Sequence, residues 1–282
     1  MIYKTIYIFG LGMIGGSLAL SIKKNKISKK IFAYDKDKKN LVFAKNKGLI
    51  DDYDNKNFKY LEQADLIIIS TPISAYKSVL KRIKKFKNKN CIITDVGSTK
   101  TSILNDIDDI FGEEQKCFVG SHPLAGKEKS GVKNASLNLF LNATVIITPT
   151  KETDRPALSQ VRKVWKKIGC RIEILNPFLH DIIMSETSHV PHLVSYSLVN
   201  SICNNKNVKN IHNFTGGGFK DFARIAKSDP TMWRDICKYN KKNIIAFLNV
   251  FVNNLKSLKS QIHQNNFQKL YSFFKKTRRK LS

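Results

Sequence analysis

Through residue 176 the chain alternates short apolar runs with polar amphipathic segments, a rhythm that restricts it to folds in which parallel strands are joined by helical crossovers. TIYIF (5–9), IFAYD (31–35), DLIIIS (65–70) and CIITDV (91–96) read as buried strands, each followed by a helix-like segment. CFVGSH (117–122), ATVIITP (143–149) and CRIEIL (170–175) continue the strand series, with a helix expected over 154–169. The expected fold class is α/β, with a Rossmann-type doubly wound parallel sheet first. After Asn176-Pro177 no strand signal is convincing, and helical stretches over 178–204 and 231–260 dominate. This reading divides the chain into residues 1–176, an α/β domain, and residues 177–282, an all-helical one.

The glycines at the end of the first strand give the first part a task. Gly10, Gly12 and Gly15, in GLGMIGG, permit a tight turn and let a pyrophosphate approach the start of the next helix. There the free amides around Met13 and Ile14 and the helix dipole favour an anion. Asp35 closes the second strand, twenty positions after Gly15, where a carboxylate accepts hydrogen bonds from an adenosine ribose and repels a 2′-phosphate. NAD is therefore expected over NADP, although Lys36 and Lys38 leave some tolerance for NADP. Ser70, Thr71 and Pro72 follow the third strand signal and belong on the same cofactor edge of the sheet.

The 49 Lys and Arg against 22 Asp and Glu give a formal charge of +27, which raises nucleic acid or an anionic membrane as a partner. The distribution argues against both. Lysines are scattered over nearly every expected helix beside many Asn and Ile, as in a general compositional bias, and attraction of an acidic substrate is the remaining use. The KKTRRK run (275–280) reads as a frayed terminus. Five cysteines without a Cys-x-x-Cys pair suggest reduced thiols and a cytoplasmic protein without a metal site. The apolar start carries four glycines and a strand pattern, unlike a signal peptide, and no stretch reaches the roughly 18 apolar residues of a membrane span.

The segment GSHPLAGKEKSG (120–131) crowds a histidine and three glycines into a stretch with little to bury. His122 reads as a loop residue following a strand, and a neutral imidazole there suits taking a hydroxyl proton while hydride leaves the same carbon. Ser98, in DVGSTK, is placed to hydrogen-bond that hydroxyl or to orient the ring, with a helix N-cap as the alternative.

GLGMIGGS, DVGSTK, GSHPLAGKEKSG, SHVPH (188–192) and GGGFKDFARIAKSDPTMW (216–233) resemble, in order and spacing, segments of the prephenate and arogenate dehydrogenases of tyrosine biosynthesis. The resemblance spans nearly the whole chain. It implies an NAD(P)-binding domain followed by a helical substrate domain that forms a homodimer, with the active site in the cleft between them. The implied reaction is oxidative decarboxylation of a cyclohexadienyl acid to a para-hydroxyphenyl product. By resemblance His122 is the catalytic histidine, Ser98 assists it, and Arg224 binds the carboxylate with a planar fork that lysine would not reproduce. Glu128, His192, His189 and Gly217 are implied near the substrate. A structural role stays open for both histidines, contact being favoured for His192, and a zinc reading of that pair lacks further ligands. Gly216, Gly217 and Gly218 would let backbone approach the substrate or a partner helix, and Trp233 is expected to pack first and wall the substrate second.

Two residues depart from the family pattern. Lys127 stands where a small polar residue is commoner and Ala223 where a threonine often precedes the arginine, which leaves prephenate and arogenate both open as substrates. The length suggests neither a fused chorismate mutase nor a regulatory domain, so any feedback by tyrosine is expected at the active site. A β-hydroxyacid dehydrogenase also joins a dinucleotide domain to a helical one, but it gives no reason for GSHPLAG. A basic nucleic-acid-binding protein gives no reason for any of these segments.

Overall fold

The computed structural model describes residues 1–55, 57–126, 129–204 and 211–281. Its strands are β1 (Tyr3–Phe9), β2 (Ser28–Tyr34), β3 (Asp52–Tyr53), β4 (Leu66–Ile69), β5 (Ile92–Asp95), β6 (Phe118–Pro123), β7 (Thr144–Thr148) and β8 (Arg171–Ile174). Between them lie α1 (Met13–Lys24), α2 (Lys38–Asn46), α3 (Tyr76–Phe86), α4 (Thr101–Phe111) and α5 (Arg155–Ile168). The second half contains α6 (Pro177–Met184), α7 (Val190–Cys203), α8 (Gly217–Ile225), α9 (Pro230–Tyr239), α10 (Lys241–His263) and α11 (Phe267–Arg279). Among the described residues no strand follows β8.

The strands form one sheet in the order β3-β2-β1-β4-β5-β6-β7-β8. Both faces are covered, and β1 shows why its run is apolar throughout. Ile6 and Ile8 enter one core with Leu18, Ile22 and Trp165, while Tyr7 and Phe9 enter the other with Ile67, Tyr76 and Leu80. Full burial of each such isoleucine stabilises the fold by about 1.5–3 kcal/mol relative to leaving it in water.

The sheet is parallel only from β3 to β6. β6 begins parallel to β5, pairing Phe118 with Ile93 and Val119 with Thr94, and then runs antiparallel to β7 from Gly120 to Pro123. β8 is parallel to β7, so the last two strands reverse the direction of the first six. The expected doubly wound parallel sheet is thus present over β3 to β6, and the antiparallel step to β7 adds a detail that the strand signals did not carry. A buried apolar run reports burial and not strand direction, and Pro123, with no amide to donate, suits a strand that has left one neighbour. The reversal corrects the placement of His122, which lies within β6 opposite Ile146 and not in a loop after it.

The 178–204 stretch consists of α6 and α7 joined by one π turn, Ser185–His189. Asn176 caps α6 by accepting from the amide of Leu179 at 2.8 Å, and Pro177 occupies the first turn, where no amide partner is needed. The expected 231–260 helix divides at Asn240 into α9 and α10. Asn240 is buried with φ −116° and ψ 29°, outside helical values, and its side-chain amide donates to the Asp181 carbonyl at 2.8 Å.

Candidate active site

The glycine loop lies at the carboxyl ends of β1 and β4, where the strand order switches. The Gly10 amide donates to Tyr34 O and the Ser70 amide to Phe9 O, which draws the two loops together. Gly10 has φ +88°, and a Cβ there would stand 2.6 Å from the carbonyl oxygen of Ser70. A Cβ on Gly15 would collide with the carbonyl of Gly10, so both glycines are sterically required. Gly12 differs, because a Cβ there would meet nothing within 4 Å. That open space faces the start of α1, whose first turn has no acidic residue and no side-chain cap, leaving the amides around Met13 and Ile14 for an anion.

The same crevice contains Ser70 and Thr71, whose buried hydroxyls have no hydrogen-bond partner among the described residues. Buried orphan hydroxyls cost free energy unless a ligand completes them. Pro72 follows and begins a 3-10 turn over Ile73–Ala75. Asp35 accepts from the Leu11 amide at 2.6 Å and from the Asp37 amide at 2.8 Å, which fixes the acid over the glycine loop. These residues fit a dinucleotide.

His122 lies on the carboxyl half of β6, half-buried. Its Nδ1 is 2.9 Å from Nε2 of His180, and His180 Nδ1 is 2.8 Å from Oδ1 of Asp181. The chemistry of this chain assigns its protons. Hydrogen bonds from the His180 ring and the Thr101 amide overcome the opposing effect of burial and hold the Asp181 carboxyl below its ordinary range, so it can only accept. His180 therefore donates from Nδ1 and accepts at Nε2, and His122 donates from Nδ1. The remaining nitrogen of His122, Nε2, keeps its lone pair. Burial pushes the His122 ring well below its usual titration range, and the neighbouring charges of His180, Lys100 and His189 act in the same direction. His180 is also lowered, chiefly by burial, against the pull of Asp181. The arrangement is a neutral histidine held in one tautomer by a histidine and an aspartate, the geometry of a general base.

Asp181 has a second task. Its two oxygens accept from the amides of Lys100 at 2.8 Å and Thr101 at 2.9 Å, so a carboxylate from α6 caps the start of α4 across the cleft. Lys100 is the N-cap residue of α4, so the N-cap alternative for Ser98 does not hold. Ser98 lies two residues earlier, half-buried, just beyond β5 and on the same carboxyl edge as His122. Ser74 adds a second tie between the halves by donating to Asp235 on α9 at 2.5 Å.

The helical half supplies the facing wall. His192 stacks on Trp233 with ring centroids 3.9 Å apart, and its Nδ1 lies 2.8 Å from the carbonyl of Ser188, which leaves Nε2 as the acceptor. Burial lowers its pKa against the pull of the Ser188 hydrogen bond, and the charge of Arg224 on α8 acts in the same direction as burial. Trp233 is in the helical core, yet its indole N–H is buried without a partner among the described residues. His189 is turned inward. It is buried, its Nδ1 is 3.1 Å from the Asn240 amide, and burial pushes its pKa down to about 4. Its geometry is that of a support beneath His180 and Asp181. Arg224 lies exposed on α8, and Gly217 opens that helix in space that a Cβ would not obstruct. Glu128 and Lys127 lie outside the described residues.

His180, Asp181 and Asn240 were not foreseen as site residues. The signal was present in FLHDIIM (178–184), where a histidine and an aspartate interrupt an apolar helix. Buried polar residues in such a run need partners, and here the partner lies 58 positions away.

Comparison with known proteins agrees with this geometry. Residues 18–174 match the family model for the prephenate dehydrogenase nucleotide-binding domain, and residues 176–276 that for the prephenate dehydrogenase dimerization domain. The chain is 36% identical over 273 residues to prephenate dehydrogenase of Bacillus subtilis, covering 96% of this chain and 73% of that one. It is 30% identical to cyclohexadienyl dehydrogenase of Zymomonas mobilis, covering 99% and 95% respectively. The crystal structure of Aquifex aeolicus prephenate dehydrogenase in complex with hydroxyphenyl propionate and NAD+ superposes with a TM-score of 0.91 at 36% identity, covering 98% of this chain and 96% of that one. Two family matches that together span most of the sequence, joined to a dinucleotide crevice and a tautomer-locked histidine, show that the chain belongs to the prephenate/arogenate dehydrogenase family.

Proposed function

We propose that the chain oxidatively decarboxylates prephenate to 4-hydroxyphenylpyruvate with NAD as cofactor, in tyrosine biosynthesis, and that arogenate is the alternative or additional substrate. The observation that carries this reading is the Asp181–His180–His122 chain, which leaves one lone pair on a neutral ring at the carboxyl edge of the sheet. When bound, NAD supplies the acceptor for the hydride that leaves C4 of the substrate ring. His122 Nε2 takes or shares the C4 hydroxyl proton as that carbon–oxygen bond gains carbonyl character. The C1 carboxylate departs as carbon dioxide, its bonding pair enters the ring, and the proton returns to what is now a phenol oxygen. Aromatisation drives the reaction, so the protein has mainly to position and polarise. Ser98 assists at the same hydroxyl. Arg224 captures a carboxylate, with His192 and Trp233 as wall, and Gly217 and Glu128 complete the substrate side.

We assign residues 1–176 to dinucleotide binding and 177–282 to substrate binding and dimerisation. The second assignment is supported by the helical core, where Val190, Trp233, Ile236 and Ile244 are the buried members, while Ile245, Val250, Leu255 and Ile262 of α10 and Phe267, Tyr271 and Phe274 of α11 are exposed. An apolar surface of that extent needs a cover, and a second copy supplies it. Among the described residues no helix is long and apolar enough to cross a membrane. The reading places the enzyme in the cytoplasm with its thiols reduced.

Initial rates with prephenate and with arogenate, each with NAD or NADP, test the assignment. Prephenate with NAD gives the highest kcat/KM; arogenate turning over while prephenate does not would transfer the reading to the amino acid.

Two further results are expected. Asp35→Ser lowers the ratio of kcat/KM for NAD to that for NADP by roughly tenfold, since it removes both the ribose acceptor and the charge that repels a 2′-phosphate. An unchanged ratio in a cofactor titration contradicts that role. The base must be neutral, and burial lowers its pKa, so kcat/KM is maintained as pH falls through the ordinary histidine range and declines only below it. A limb centred at or above the free-histidine value in the pH profile excludes His122 as the titrating group.

A further inference from the structure

Asp95 and Lys100 form a fully buried ion pair beneath the site, with Asp95 0% and Lys100 2% exposed and Lys100 Nζ 2.5 Å from Asp95 Oδ2. Burying two charges costs more than an isolated contact recovers unless the remaining valences are satisfied. Here they are. The same carboxylate accepts from the Ser121 amide at 3.0 Å, the Gly97 amide at 2.9 Å and the Tyr76 hydroxyl at 3.1 Å. Ser121 directly precedes His122, and Gly97 directly precedes Ser98. One carboxylate thus sets the separation of the two strand ends that present these residues, at the point where β6 departs from β5.

Lys100 is held at its other end as well, because its backbone amide donates to Asp181 Oδ1. Followed around, the contacts close a ring: His122 to His180, His180 to Asp181, Asp181 to the Lys100 amide, the Lys100 ammonium to Asp95, and Asp95 to the amide before His122. We propose that Lys100 is a positioning residue for catalysis, whose amide and ammonium close a hydrogen-bonded ring that fixes His122 through both its imidazole and its backbone. The ring joins the sheet to α6, so the orientation of the base depends on the contact between α6 and the start of α4. Such networks hold their members more tightly than separate pairs would, because each bond restricts the next.

The inference rests on His122 as the base, and the experiment separates the two. Lys100→Met keeps the stem that packs against Gly120 and removes only the ammonium. Its kcat is expected to fall by about ten- to a hundredfold, with KM for prephenate and the dissociation constant for NAD changed by less than about twofold. The groups facing His122 are His180 and Asp181 from α6, His189 from the π turn, and Lys100 with its partner Asp95 from the β5 end. Of these, the Lys100 charge opposes protonation of His122, so its removal raises the His122 pKa and the acid limb of kcat/KM moves toward neutral pH. A purely structural lysine would lower stability and leave that limb in place.

Tyr76→Phe is the milder probe, since it removes one donor from Asp95 and keeps both charges. The Tyr76 hydroxyl, raised well above its usual pKa by burial and Asp95, is a permanent donor, and its loss is expected to lower kcat about threefold with the limb unmoved. A wild-type kcat with an unmoved limb in folded Lys100→Met overturns the proposal. Should that variant not fold by circular dichroism, an unchanged kcat in Tyr76→Phe overturns it and the threefold loss supports it. His122→Asn is measured alongside. Inactive His122→Asn beside unaffected Lys100→Met and Tyr76→Phe rejects only the ring, whereas fully active His122→Asn rejects the reading of the base itself.

Discussion

His122→Asn lowers kcat by about a thousandfold while KM for prephenate and affinity for NAD stay near their wild-type values, the range expected when a positioned general base is removed. Asparagine keeps a polar group of similar reach, and its side-chain amide can still accept from or donate to His180. What it lacks is a nitrogen lone pair basic enough to hold the C4 hydroxyl proton. The loss therefore belongs to the chemical step, and steady-state rates over a range of prephenate concentrations separate it from binding. Unaltered kcat would remove His122 from the mechanism and leave the buried Asp181–His180 pair without a purpose at its outer end.

Arg224→Ala acts on the other side of the balance. Loss of a bidentate, charge-assisted contact to a carboxylate costs about 1.5–3 kcal/mol, so KM for prephenate rises by roughly ten- to a hundredfold. The effect on kcat is smaller, because a carboxylate bound equally in ground and transition states contributes to affinity alone. Arg224→Lys recovers only part of the loss, since a point charge does not reproduce the planar fork. An unchanged KM in Arg224→Ala would refute carboxylate capture and leave the arginine as a surface charge on α8.

Much of the sheet was legible because burial on two faces writes itself into composition. Ile6, Tyr7, Ile8 and Phe9 could not face water on either side, and the glycines after them had no reason in a packed turn other than close approach. Direction was not legible. Thr144–Thr148 would read the same in either orientation, and Pro123, with no amide to donate, lies three residues past the point where β6 passes from β5 to β7. β3, two residues long, is below what a pattern can declare.

The site divides in the same way. His122 and Asp35 stand in local motifs whose chemistry is apparent from adjacent residues. His180 and Asp181 acquire meaning only when α6 is laid against β6 and the start of α4, a contact between segments about 80 positions apart. Lys100 was concealed by its type, since one lysine among so many carries no mark of burial, and nothing in DVGSTK distinguishes an ammonium in water from one buried against Asp95. His189 and His192 look alike in SHVPH, yet the π turn rotates one into the core against Asn240 and the other onto Trp233.

The most direct test of the account follows both products of a single reaction: purified protein is incubated with prephenate and NAD, and NADH and 4-hydroxyphenylpyruvate are measured over the same interval. The account predicts that the two appear together in a one-to-one ratio and that both vanish in His122→Asn. Folded, NAD-binding protein that forms neither, or that forms NADH without the aromatic keto acid, would contradict oxidative decarboxylation as the reaction of this site.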